Sequence, residues 1–208
     1  MVPGQMETIA PVCLAPGEVL RCTTHISASA EDLVAYKRGC DSEAQVYLDG
    51  SGLDNMAGTV AVLYREGKSP RMLRFRLGEL TVHAMFEAEA VGVLLALHLL
   101  RHAPNVQRAT IHLDYQAVIE SLHIHKPRPV QYLIDEIIHQ VDNIWRRATH
   151  PSSRLEILWV KGHGDSTGNE RVDQEAKKAS KGATSKESLL PCFLTECELL
   201  MMMRPAHR

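Results

Sequence analysis

Between Ala90 and Leu100 the chain is apolar almost all the way round a helix, inside a longer helical stretch, Ala84 to His102, rich in Ala and Leu. A helix with one apolar stripe can lie on a surface. One that is apolar on most sides has to be covered on most sides, so this segment predicts an interior helix against which the rest of the chain packs. It carries Glu89 and His98 and is too short to span a bilayer, so no membrane partner is expected.

The covering elements can be read on both sides of it. Val46, Tyr47 and Leu48 are strand formers that run into Asp49-Gly50-Ser51-Gly52, which predicts a strand ending in a turn with an acid at the junction. Thr59 to Tyr64 and Met72 to Leu80 alternate apolar with polar residues, the period of half-buried strands, with a turn over Gly67 to Pro70. Beyond the helix, Thr110 to Leu113 predicts a strand closed by Asp114. Helical spacing follows over Gln116 to His123 and, past the break at Lys126-Pro127-Arg128-Pro129, over Val130 to Arg147. Leu155 to Val160 is a fifth strand, and a glycine-rich link from Gly162 to Gly168 leads to a polar helix from Asn169 to about Ser180. The order predicts an α/β fold: a five-stranded mixed sheet, its first three strands antiparallel, flanked by helices that serve as crossovers after the third and fourth strands.

A chain of 208 residues suits one such domain with extensions. Residues 1–43, with Pro3, Pro11, Pro16, Gly4 and Gly17, read as an irregular leader holding one short helix near Ala30 to Lys37. Residues 44–182 form the domain, and 183–208 form a tail without clear pattern. The 5 cysteines, at 13, 22, 40, 192 and 197, make no CxxC pair and have no histidine at zinc spacing. No basic region followed by an apolar run opens the chain. An intracellular protein of the nucleus or cytoplasm, not a secreted one, is expected. The formal charge is −2, so any nucleic-acid binding must come from a local patch.

Asp49 and Asp114 stand where strands run out, the usual place for sites in sheets with parallel strands. In the long helix Glu87 and Glu89 point to nearly opposite sides. Glu89 shares its stripe with Val93, Ala96 and Leu100, Glu87 with Val91, Leu94 and His98, so apolarity leans towards Glu89 as the inward one without deciding. Asp173, one turn inside the last helix, is a fourth candidate. Singly, such acids are most often turn residues, caps or solvated side chains. Together they are hard oxygen ligands of the kind that suit Mg²⁺ or Mn²⁺.

The motifs extend this reading. Tyr47-Leu48-Asp49-Gly50-Ser51 resembles a YTDGS strand, Ala88-Glu89-Ala90 with Ala96-Leu97 resembles a helix with AE-x-x-A-x-x-x-AL, and Leu113-Asp114-Tyr115-Gln116 resembles TDSQ. Trp159-Val160-Lys161-Gly162-His163 through Gly168-Asn169-Glu170-Arg171-Val172-Asp173 resembles WVKGH…GNExAD. All four occur in order over residues 45–180, about two-thirds of the chain, and they are the motifs of type-1 ribonuclease H. Phe86-Glu87-Ala88-Glu89 and the run from Asn169 to Ala179 are most similar to the ribonuclease H domains of fungal non-LTR retrotransposons. Leu48 stands for the usual Thr and Tyr115 for the usual Ser. No tryptophan-bearing basic protrusion is recognisable between Gln116 and Leu155.

The resemblance implies an endonuclease that cuts the RNA strand of an RNA–DNA hybrid. It implies two Mg²⁺ ions, with Mn²⁺ as a substitute, held by Asp49, Glu89, Asp114 and Asp173. His163 would move a proton or help release product. Gly50, Ser51, Gln116 and Asn169 would touch the substrate, and Lys126, Arg128, Arg146, Arg147, Lys161 and Lys177 are candidate phosphate contacts. It further implies a monomer, either stand-alone or part of a larger reverse transcriptase polyprotein. The alternative is an inactive nucleic-acid-binding module of the same fold. A transposase or Holliday-junction nuclease shares that fold too, but the Gly162-His163 and Asn169-Glu170-Arg171 motifs speak for ribonuclease H.

Overall fold

The computed structural model describes residues 20–39, 41–124, 129–147, 150–160 and 167–196. Its elements in order are β1 (Thr23–Ile26), α1 (Ala30–Gly39), β2 (Ala44–Leu53), β3 (Met56–Arg65), β4 (Arg71–Glu79), α2 (Met85–Arg101), β5 (Arg108–Leu113), α3 (Gln116–Ser121), α4 (Gln131–Arg146), β6 (Arg154–Trp159), α5 (Thr167–Ser180) and α6 (Cys192–Glu196). They build a mixed α/β sheet in the order β1-β6-β5-β2-β3-β4, flanked by helices. As expected, β2, β3 and β4 are antiparallel neighbours. β5 joins β2 in parallel, and β6 joins β5 in parallel.

The sheet has a sixth strand. β1, within the leader, pairs in parallel with β6 from Thr23↔Glu156 to Ile26↔Trp159. It is short and its pairing is wholly non-local, so nothing in its own sequence marks it as a strand. The first hairpin also differs from expectation. The turn is made by Asp54 and Asn55, with φ of 52° and 61°, while Asp49 to Gly52 stay in β2. Aspartate and asparagine tolerate this left-handed backbone better than most residues, and two of them in succession suit a two-residue hairpin loop. Asp49 therefore lies inside a strand, opposite Val60, and not at its end.

The two faces of the sheet carry different helices. Val46, Leu48, Ala61, Leu63 and Leu73 join the main core with α2 and α4, whereas Val60 and Val62 pack on Val172 and Ala176 of α5. In α2, Leu95, Leu97 and Leu99 are at most 2% exposed, as an all-round apolar helix requires. Each such burial contributes about 1.5–3 kcal/mol.

Both helix glutamates are buried, not one. Glu87 Oε2 is hydrogen-bonded to His83 Nδ1 at 2.6 Å, and Glu89 turns to β2. Beyond α5 the chain runs along the edge strand: Ser185 N donates to the Arg74 carbonyl at 2.9 Å, and Arg74 N donates to Ser185 Oγ at 2.9 Å. Leu190 and Leu194 then enter the main core. An exposed β4 edge would offer its amides to other chains, and this segment covers it.

Candidate metal centre

The parallel pairing of β2 with β5 ends at Tyr47↔His112. Beyond that pair β2 continues with β3 alone and β5 stops at Leu113, so a gap opens between the two strands. Asp49 and Asp114 each come two residues after the last pair, one full pleat further on the same face. The rings of Tyr47 and His112, two residues before the acids on each strand, stack at 4.3 Å.

Glu89 reaches the same place from α2. Its Oε1 accepts the Gly50 amide at 2.9 Å. One carboxylate oxygen from each of Asp49, Glu89 and Asp114 lies within 4.8 Å of the others. Gly50 makes this approach possible, since a Cβ there would sit 2.9 Å from Glu89 Oε1 and 3.1 Å from Ala88 Cβ. The Trp159 indole donates to the Asp114 carbonyl at 2.9 Å, and Thr59 Oγ1 donates to the Asp49 carbonyl at 3.0 Å. Both acids thus stand on backbone that neighbouring strands hold in place.

Gathered carboxylates of like charge raise one another's proton affinity. Burial first, then Asp114 and Asp173, push the Asp49 carboxyl up to about 7. Burial first, then Asp114 and Asp49, hold Glu89 well above the usual carboxylate range. Two unit charges ~4 Å apart repel by about 4 kcal/mol at an effective dielectric of about 20, so protons or cations have to gather here. Glu89 Oε2 is buried and has no hydrogen-bond partner among the described residues. An all-oxygen, multiply negative donor set with one orphaned buried oxygen fits a divalent cation.

Asp173 is not among the three converging groups. It stands on α5, close enough to raise Asp49, and its Oδ2 accepts from Lys177 Nζ at 2.7 Å. Of the other expected site residues, Gln116 is exposed at the start of α3, next to the acids. Ser51 is only 7% exposed, and its carbonyl accepts from Ser180 Oγ at 3.3 Å. Gly50 spends its amide on Glu89. His163, Lys126, Arg128 and Lys161 fall outside the described residues, as does the side chain of Asn169. Arg146 pairs with Asp142 on its own helix. Tyr47, Thr59, His112 and Trp159 shape the site without having been singled out as its members. The signal for His112 was its place two residues before Asp114 in the same alternation.

The sequence model of the ribonuclease H family matches residues 41–181. Among solved structures, the chain resembles the PFV RNase H domain at 18% identity and a TM-score of 0.52, over 69% of this chain and 98% of that one. It resembles RNase H1 from the archaeon Halobacterium salinarum NRC-1 at 17% identity and a TM-score of 0.49, over 67% and 98%. For LC11-RNase H1, in complex with an RNA/DNA hybrid, the identity is 16% and the TM-score 0.49, over 66% and 96%. No curated protein matches the chain in sequence. At these identities the likeness to the PFV domain is one of fold. No helix among the described residues is long and apolar enough to cross a membrane.

Proposed function

This chain belongs to the ribonuclease H family, and on that footing we propose that it is an endonuclease hydrolysing the RNA strand of RNA–DNA hybrids with two Mg²⁺ ions. The observation that carries the reading is the convergence of Asp49, Glu89 and Asp114 within 4.8 Å at the gap between β2 and β5. Mg²⁺ fits the oxygen-only set, with Mn²⁺ as a substitute. Bound by Asp49, Glu89, Asp114 and Asp173, the two ions would supply an activated water and charge stabilisation for the departing 3′ oxygen, leaving a 5′ phosphate.

The protein's own groups do the positioning. The Gly50 amide orients Glu89, the Trp159 indole anchors the Asp114 backbone, and Asp173 on α5 is near enough to act on Asp49. Exposed Gln116 is assigned the 2′-hydroxyls that distinguish RNA from DNA, and the motifs assign Asn169, Gly50 and Ser51 to the substrate as well. His163 is assigned the proton transfer that accompanies product release. The wording of the α2 and α5 motifs supports descent from a non-LTR retrotransposon of fungal type, as a monomeric unit of a reverse transcriptase polyprotein or a stand-alone derivative. On this reading the nucleus or cytoplasm is its assigned compartment.

Purified chain incubated with labelled hybrid, duplex RNA and duplex DNA, with and without Mg²⁺, tests this. Cutting of the hybrid's RNA strand alone, dependent on Mg²⁺ and abolished by Asp49→Asn or Asp114→Asn with the fold intact, is expected. Hybrid that is bound but never cut would mean a binding module. Undiminished cutting by either variant would remove the metal assignment.

A further inference from the structure

At the other end of the parallel strands lies a cavity of about 380 Å³ that the catalytic reading leaves without a role. Gln107, Ala109, Arg154 and Leu155, at the starts of β5 and β6, form part of its wall. The acids follow the ends of β2's pairing and of β5. The five residues from Ala109 to Asp114, at ~3.3 Å each, set the two places roughly 17 Å apart. What lines the cavity is chemically lopsided. Arg21, Arg101, Arg147 and Arg154 surround it, and among the described residues no carboxylate lines it.

In a chain of net charge −2, four guanidinium groups around one cavity are a local concentration, not a reflection of composition. Two of them are neutralised from outside the cavity: Arg21 pairs with Asp142 at 3.2 Å and Arg154 with Glu156 at 3.6 Å. Among the described residues Arg101 reaches the amide oxygen of Gln140, at 3.5 Å, and neither it nor Arg147 has a carboxylate partner there. Two positive groups are therefore left to face an anion. Guanidinium presents paired N–H groups in the geometry of a phosphate's oxygens.

The rest of the wall selects what the anion carries. Val141, Ile144 and Trp145 of α4 bring an apolar surface to the same cavity, and Trp145 is 38% exposed although large and aromatic. An open indole beside unneutralised arginines is the combination on which a nucleobase stacks while its phosphate is held, and it tolerates any base because every base has a π-face. A neighbouring cavity of about 720 Å³ shares Arg101 but is also lined by Glu136 and roofed by residues 188–193, so it lacks this uniform sign.

We propose that the cavity bounded by Arg21, Arg101, Arg147, Arg154 and Trp145 is a second nucleic-acid site, which takes a phosphate bearing an aromatic base, either a nucleotide unit of a single strand or a free mononucleotide. It uses none of the metal-binding acids and does not depend on turnover. In a hybrid-cutting enzyme it would hold a single-stranded segment away from the cleavage point.

The test is fluorescence anisotropy of labelled oligo(dT) in EDTA, with the full chain, its Trp145→Ala, Trp145→Phe and Arg154→Glu variants, and unlabelled dTMP or inorganic phosphate as competitors. All substituted positions are exposed, so thermal melting should be close to wild type and loss of binding will not reflect loss of fold. Trp145→Ala and Arg154→Glu should each weaken oligo(dT) binding by tenfold or more, with Trp145→Phe recovering most of it. Competition by dTMP at concentrations similar to the oligomer's would identify a mononucleotide site, and competition by the oligomer alone a strand site. Wild-type affinity in both Trp145→Ala and Arg154→Glu would overturn the proposal, as would inorganic phosphate competing as well as dTMP. Hybrid cleavage by Trp145→Ala at the wild-type rate is expected too. A chain that cuts no hybrid at all would sink the catalytic reading while leaving the binding result to stand.

Discussion

The Gly50 amide donates to Glu89 Oε1 at 2.9 Å, so the backbone of β2 sets the position of a carboxylate that belongs to α2. The bond needs the absence of a side chain on Gly50. Gly50→Ala would place a Cβ 2.9 Å from that oxygen and 3.1 Å from Ala88 Cβ, and Glu89, being the movable partner, would give way. Overpacking of this kind costs about 1–3 kcal/mol of stability. The larger effect should fall on the site, because Glu89 would leave the cluster: Mn²⁺ affinity by titration calorimetry should drop at least tenfold. A variant that melts earlier but binds Mn²⁺ like the wild type would show that Glu89 is not held by this bond.

The metal-free protein should be less stable in alkali than in mild acid. Asp49 has its ordinary value of 3.8 unfolded and about 7 folded, so over that interval the folded chain holds a proton that the unfolded chain has lost. A raised folded value contributes stability that is complete below the unfolded value and is lost as pH rises through the folded one. Glu89, raised in the same direction, extends the loss to higher pH. Urea unfolding in EDTA should therefore report a decrease on the order of 3 kcal/mol from about pH 4 to about pH 8. Divalent cation should reverse it, and Asp49→Asn or Glu89→Gln should flatten it. Stability that rises over the same interval without metal would contradict the clustering.

How far the site could be read from the chain depends on the range of the interactions involved. Asp49 and Asp114 are legible as candidates because a strand running out is a local signal, whereas helix spacing leaves Glu87 and Glu89 open and only the motif resemblance selects Glu89. The glycines at 50 and 52 carry a turn signal, which ends the expected strand at Asp49. In the structure they stay in β2, where Gly50 makes room for Glu89 and Gly52 for Leu80 and Met85. The burial of Glu87 followed from a partner one turn earlier, His83, which a count of apolar neighbours does not register. β1 and the segment over the β4 edge exist only through pairing with distant strands, so the Pro- and Gly-rich leader and the unpatterned tail gave no sign of them.

Lys177 holds Asp173 by an ion pair of 2.7 Å, and its charge also lowers the proton affinity of Asp49. Both groups are substantially exposed, so the pair itself is worth less than about 1 kcal/mol. Its consequence lies in competition, since a cation bound to Asp173 has to displace the ammonium. Lys177→Met should therefore lower the Mn²⁺ concentration for half-saturation about three- to tenfold, with a melting temperature close to wild type. An increase in that concentration would mean that Lys177 supports the metal site instead of competing for it.

Asp173 stands near enough to act on Asp49 because α5 lies directly on β3 at Gly58. A Cβ at that position would stand 2.3 Å from the Ser180 nitrogen and 2.5 Å from the Ala179 carbonyl carbon. Both are backbone atoms of a packed helix and cannot rotate aside, so Gly58→Ala must lift the C-terminal end of α5 away from Val60 and Val62. The helix is one rigid piece, and Asp173 moves with it. Destabilisation of about 3 kcal/mol or more is expected, at the upper end for overpacking, together with weaker Mn²⁺ binding in whatever fraction stays folded. Gly67→Ala is the control: its φ of +66° makes alanine cost about 1 kcal/mol, but no atom lies within 4 Å and the acids are untouched, so metal affinity should not change. Equal stability losses in the two variants, measured by urea denaturation, would mean that the backbone contact under α5 is not what seats Asp173.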